Sequence, residues 1–172
     1  MEVAPKSPRR LPQPLPAIRE MKKVKGDLIA LALEGEFDVI VHGCNCQCVM
    51  GKGIAKTIKT RFPAAYQADL KTKKGDRDKL GTISFATVDS AEQKLTIVNA
   101  YTQFDWRGKG SKVDYEAIKS CFTRIKDKFS GLRIGYPAIG AGLAGGDWNR
   151  IAATIDEVLK GEDHTFVEFE KG

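Results

Sequence analysis

The chain has 172 residues, 42% apolar and 29% charged, which suits one domain with a substantial core and leaves no run near the roughly 18 apolar residues of a membrane span. Its net charge of +6 is concentrated at the start: residues 1–25 hold seven Lys/Arg against two Asp/Glu, and 26–172 hold 21 against 20. A body so close to neutral argues against a nucleic-acid-binding surface spread over the whole fold.

Residues 1–20 carry five of the seven prolines, with Arg9, Arg10 and Arg19 among them, and read as an extended, disordered arm. The folded domain is expected over 21–172. A short strand around Val24 turns at Gly26-Asp27 into a helix over 28–33, with Asp27 as its N-cap. The β-rich run 37–41 lacks polar alternation and predicts a buried central strand. A helix over 53–61 follows, with Ile54, Ala55 and Ile58 on its inward stripe. Phe62-Pro63 breaks it, and a second helix is expected over 63–73. Strands are predicted around Ile83, Phe85 and Val88 and over 95–100, joined by a hairpin at 89–93. A polar, aromatic loop at 101–112 precedes the longest helix, 114–129, in which Ile118, Cys121, Phe122, Ile125 and Phe129 recur at helical spacing. A strand over 132–136, a helix over 147–159 and a last strand over 165–169 complete the pattern. Strands alternating with helices around one hairpin predict an α/β fold of three layers, α/β/α, with a mixed, largely parallel central sheet.

In such a sheet, ligands bind beyond the carboxyl ends of the strands. Two strand-to-helix loops there are glycine-rich: Met50-Gly51-Lys52-Gly53 and Gly140-Ala141-Gly142-Leu143-Ala144-Gly145-Gly146. Neither has Walker spacing or the spaced glycines of the dinucleotide fingerprint. As a pair they predict backbone N–H groups that clamp a diphosphate from two sides, helped at the first loop by a helix N-terminus. His42, just before that loop, is a candidate general acid or base, and equally a hydrogen-bonded structural residue. Cys44, Cys46 and Cys48 occupy alternate positions, and Cys121 is distant. Strand neighbours two apart do not face each other, so this is a poor disulfide framework and points to reduced thiols in a cytoplasmic protein. The spacing also departs from that of zinc ligand pairs, and no metal is expected.

Three stretches together resemble the macro domain, the ADP-ribose-binding family. They are Val24-Lys25-Gly26-Asp27-Leu28; His42-Gly43-Cys44-Asn45-Cys46 with Met50-Gly51-Lys52-Gly53-Ile54-Ala55; and Pro137-Ala138-Ile139-Gly140-Ala141-Gly142-Leu143. They occur in the family's order, and the likeness spans about residues 22–170. The chain is most similar to the small branch of ADP-ribose-1″-phosphate phosphatases and terminal ADP-ribose glycohydrolases, whose members carry the same His. The resemblance implies that Asp27 accepts a hydrogen bond from the adenine amino group while the Leu28 backbone orients the ring. Gly51, Lys52, Gly53 and Ile54 would donate backbone N–H groups to the diphosphate. Gly140, Ala141, Gly142, Leu143, Ala144 and Gly145 would wrap the second phosphate and the distal ribose. His42 would act near C1″, and Asn45 would hold the distal ribose.

One departure from the family bears on activity. In the terminal glycohydrolases an Asp follows the Gly-Leu of the second loop and a Lys is the nucleophile, whereas here Ala144 follows Gly142-Leu143. The carboxylates left are Asp147, which also suits a helix N-cap, and Asp105, in a loop where Arg107 and Lys109 could neutralise a terminal phosphate. The resemblance therefore implies hydrolysis of ADP-ribose 1″-phosphate to ADP-ribose and phosphate, with His42, Asn45, Asp147 and Asp105 as catalytic residues and no cofactor. The alternatives are an ADP-ribosyl hydrolase acting on ADP-ribosylated protein or nucleic acid, and a reader that binds ADP-ribose without turnover. A monomer with no membrane partner is expected.

Overall fold

Among the described residues, six strands form one sheet in the order β1-β6-β5-β2-β4-β3. The structure, a computed structural model, describes residues 20–171; the arm expected at 1–20 lies outside them except for Glu20. The strands are β1 (Lys22–Gly26), β2 (Val39–Asn45), β3 (Ile83–Ser90), β4 (Gln93–Gln103), β5 (Ile134–Tyr136) and β6 (His164–Phe169). Neighbours run parallel except β3 and β4, which form the predicted hairpin. The helices are α1 (Leu28–Leu33), α2 (Gly53–Arg61), α3 (Pro63–Leu70), α4 (Tyr115–Phe129) and α5 (Trp148–Val158). No helix among the described residues is long and apolar enough to cross a membrane.

Alternation along β2 assigns the two cores. Val39 and Val41 pack with Ile118, Phe122 and Ile125 of α4 and Ile151 and Ile155 of α5. Ile40 points the other way, to Leu28 and Ile29 of α1, Ile58 of α2 and Ala65 of α3. Each Val, Leu or Ile buried in this way contributes roughly 1.5–3 kcal/mol relative to exposure. The result is a mixed, largely parallel sheet with helices on both faces. Three aspartates start helices as N-caps: Asp27 Oδ1 accepts from the N–H groups of Ile29 and Ala30, Asp114 from Ala117, and Asp147 from Asn149.

Several boundaries differ from expectation. β2 continues four residues past Val41 and β4 three past Ala100, because their parallel ladder carries on through His42–Asn99, Gly43–Ala100, Cys44–Tyr101 and Asn45–Gln103. Tyr101 and Thr102, expected in a loop, are thus buried strand residues. β5 starts only at Ile134. Before it, Arg133 is held against Asp38 by its backbone N–H at 2.9 Å and by Nε and Nη2 at 3.1 and 3.0 Å, while Leu132 is exposed. α3 ends at Leu70, short of residue 73.

Candidate functional site

The two glycine loops face each other across a cavity of about 520 Å³ at the carboxyl ends of β2, β4 and β5. That size falls among small-molecule sites. Gly51, Lys52, Gly53 and Ile54 form one wall, and Gly140, Gly142, Leu143 and Ala144 the other. Gly140 has φ +76°, and a Cβ there would lie 2.6 Å from Val113 Cγ2, so a side chain is excluded by both conformation and space. Gly53 has φ +60°, and a Cβ on it would lie 3.3 Å from Leu143 Cδ1 on the opposite wall. The loops therefore nearly meet above the cavity. Gly53 opens α2, whose first-turn N–H groups have no partner within the helix, and the helix dipole favours an anion at that end. Lys52 adds a cation on the same wall.

His42 does not line this cavity. It is fully buried on the sheet face toward α3, where Nε2 lies 2.7 Å from Asn99 Oδ1, and Asn99 Nδ2 donates to the Ala65 carbonyl at 2.9 Å. Burial pushes the imidazole down to about 4, with the Asn99 bond opposing, so the ring is neutral near pH 7. Between His42 and the cavity stands Cys44, whose Sγ lies 3.4 Å from Nε2 and which lines the cavity together with Gly43.

The proposed carboxylates are elsewhere as well. Asp147 Oδ1 accepts from the Asn149 N–H at 3.0 Å as the cap of α5, and the residue does not line the cavity. Asp105 is held by Arg107, through Nε at 2.9 Å and Nη2 at 2.7 Å, and this pairing lowers its carboxyl to about 2. Asn45 does line the cavity, but its Oδ1 accepts from the Gln47 N–H and its Nδ2 donates to the Val49 carbonyl, both at 2.9 Å, so it shapes the turn leading to Gly51. Ala141 and Gly145 do not line the cavity.

Asp27 and Leu28 lie at the carboxyl end of β1, two strands beyond β5 on the same edge of the sheet, outside this cavity. Leu28 buries its side chain in the core. Next to them, Phe169 ends β6 in register with Gly26 and is 72% exposed.

The loop 101–107, which sequence reasoning set beside the distal ribose, supplies Thr102, Gln103 and Trp106 to the cavity, whereas Gly43 and Ile139 were assigned no role there. Gly43, Thr102 and Ile139 form the floor, with Gln103 and Trp106 beside them. Gln103 Oε1 is buried and has no hydrogen-bond partner among the described residues. Its position at a strand's carboxyl end was the available signal, hidden by the early end assigned to β4. No Asp, Glu or His lines the cavity among the described residues. The four cysteines are free and buried, and burial pushes the Cys44 thiol well up.

A family model described as Macro domain matches residues 41–155. This chain belongs to the Macro domain family. As a macro domain it is 34% identical to the 17.5 kDa protein of the tk-vs intergenic region of Enterobacteria phage T4, itself uncharacterised, over 87% of this chain and 97% of that one. It is 32% identical to a DNA ADP-ribosyl glycohydrolase of Thermus aquaticus over 81% of this chain, which spans only 38% of that relative. The solved macrodomain of Thermus aquaticus DarG superposes with a TM-score of 0.63 at 25% identity, over 88% of this chain and 98% of that one. Likeness to an ADP-ribose 1″-phosphate phosphatase of Ajellomyces capsulatus is 49%, but over 26% of this chain and 16% of the relative.

Proposed function

We propose that this macro domain binds ADP-ribose in the cavity and hydrolyses ADP-ribose 1″-phosphate there. The facing glycine loops carry the binding half of this reading. The diphosphate takes backbone N–H groups at 51–54 and along the second loop, and the distal ribose lies over Gly43 against Thr102 and Gln103. The adenine reaches back to Asp27, which caps α1 through Oδ1 and offers Oδ2 to the amino group, while the exposed ring of Phe169 gives the base a stacking face.

The choice of reaction rests on the lack of an acid at the cavity wall. A leaving group here must depart without a proton donated by a side chain. The phosphate brings its own proton: with a second pKa of about 6 the monoester is part monoanion near neutrality, and that form leaves as HPO4²⁻. The C1″–O bond breaks with its electron pair going to the phosphate oxygen, water adds at C1″, and the water's proton goes to solvent. Positive charge that develops on the ribose ring faces neutral carbonyl oxygens, and the unpartnered Gln103 Oε1 is the atom to hold the attacking water.

A second reading, removal of ADP-ribose from DNA, is favoured by the name of the Thermus aquaticus relative matched over most of this chain. The purified protein is given ADP-ribose in a calorimeter, then ADP-ribose 1″-phosphate, ADP-ribosylated DNA and ADP-ribosylated protein in ¹⁸O-water. Release of phosphate free of ¹⁸O is the expected result, lost in Gln103→Ala with affinity retained. Tight binding with no turnover of any substrate would leave a reader in place of an enzyme.

A further inference from the structure

A polar cluster outside the cavity holds a lysine that ion pairing does not account for. Lys79 ends the short 3-10 turn Arg77–Lys79 and is only 7% exposed. Its Nζ donates to Thr72 Oγ1 at 2.7 Å and to Cys48 Sγ at 3.4 Å, and lies 4.7 Å from the centre of the Tyr101 ring. The neighbouring Asp69 carboxyl accepts from the Tyr101 hydroxyl at 2.7 Å instead. Among the described residues no Asp or Glu lies within ion-pair distance of Nζ. Burying an ammonium without a carboxylate beside it is costly.

The sulfur that Nζ meets differs from the other three. Cys48 is the most exposed of the four cysteines, at 9%, and among the described residues it alone has a lysine within hydrogen-bond distance. Its thiol donates to the Asp69 carbonyl at 3.4 Å, which leaves the sulfur lone pairs to Nζ. Cys44 meets the His42 ring, and Cys121 donates to the carbonyls of Thr82 and Tyr101. Cys48 takes φ +58°, left-handed backbone that favours glycine, three residues before Gly51 on the cavity wall. A thiol held against an amine is the pair from which oxidation makes a sulfur–nitrogen bond, as sulfenic acids do with a backbone nitrogen.

We propose that Cys48 and Lys79 form an oxidation site at which a hydroperoxide joins Sγ to Nζ as a sulfenamide. In the first step Sγ attacks one peroxide oxygen. The S–O bond forms as the O–O bond breaks, sulfur is oxidised to the sulfenic acid, and the thiol proton leaves with the departing hydroxide as water. In the second step Nζ, having given one proton to solvent, attacks the sulfur. The N–S bond forms, the S–O bond breaks, and the departing hydroxide takes a second proton from nitrogen as water. Two small-molecule thiols reverse the link, returning the Cys48 thiol and the Lys79 amine while they become a disulfide. The bond ties the approach to Gly51 to the turn Arg77–Lys79, across 31 positions of chain. It is independent of what occupies the cavity.

The test treats the full chain with a small excess of hydrogen peroxide, digests it with trypsin and maps it by mass spectrometry. The expected product is a Cys48 peptide joined to a Lys79 peptide, about 2 Da lighter than the two together, uncut after Lys79 and separated by dithiothreitol. The link is lost when the chain is unfolded in urea before oxidation. Lys79→Arg keeps the charge without the amine, and is expected to leave a Cys48 sulfenic acid that dimedone traps. Oxidation of the folded wild type that stops at a Cys48 oxyacid, a disulfide between Cys46 and Cys48, or no change at Cys48 overturns the proposal. So does a link that forms equally in urea. The wild-type map decides the case whether or not the variant folds.

Discussion

His42 and Gly43 are consecutive on β2 and serve two different interiors. Behind the sheet, His42 joins a sealed polar network: Asn99 bonds His42, Ser84 and the Ala65 carbonyl, and the Tyr101 hydroxyl joins Ser84 to Asp69. In front, Gly43 floors a cavity walled largely by backbone and small residues. The buried side uses side chains that satisfy one another, so its chemistry is spent on stability. The open side keeps side chains out of the way and leaves main-chain donors for a ligand. A titratable residue adjacent in sequence to a binding loop can therefore belong to the opposite side of the sheet.

The sharpest break of this contrast is His42→Ala. It empties a buried site and orphans Asn99 Oδ1, so urea unfolding should lose about 3–4 kcal/mol. Calorimetry should find ADP-ribose affinity unchanged. Lost turnover at unaltered stability would put His42 back at the ligand and erase the distinction.

Acid probes the same side. The folded His42 titrates at about 4 and an unfolded one at about 6.5, so its contribution is fully present above 6.5. As the pH falls from there toward 4 the unfolded chain takes up the proton first, and about 3 kcal/mol of stability is lost. Urea titrations at several pH values, wild type against His42→Gln, should show the variant missing that slope.

On the open side, Gly53→Val should act on binding. A β-branched residue at φ +60° facing Leu143 costs about 2 kcal/mol, which a calorimeter reads as about 30-fold in Kd. Asp147→Ala removes only the cap of α5, for about 1 kcal/mol in thermal unfolding, with kcat unchanged. Asp105→Asn, which loosens an exposed ion pair, should leave kcat within about twofold. A large drop from either aspartate variant would restore a carboxylate to the reaction.

Much of the fold was legible because hydrophobic period and aspartate caps are local signals: Asp27, Asp114 and Asp147 each start the helix expected of them. The glycine walls were legible for the same reason, since φ +76° at Gly140 is a property of one residue and its neighbours. The ends of β2 and β4 were not. Asn45 and Gln103 are polar and look like loop, and only their pairing across 58 positions makes them strand. The burial of His42 was hidden for the same reason, because it depends on Asn99, 57 residues away.

The strand order has a consequence in time. Of the described strands β6 is made last, and it lies between β1, made first, and β5, which leads into the second glycine loop. During synthesis β1 has no ladder to join until residues 164–169 leave the ribosome, and β5 lacks one of its two neighbours until then. So distant a pairing closes slowly. The nascent chain must therefore keep β1, with its three lysines and single valine, unpaired in water until β6 arrives.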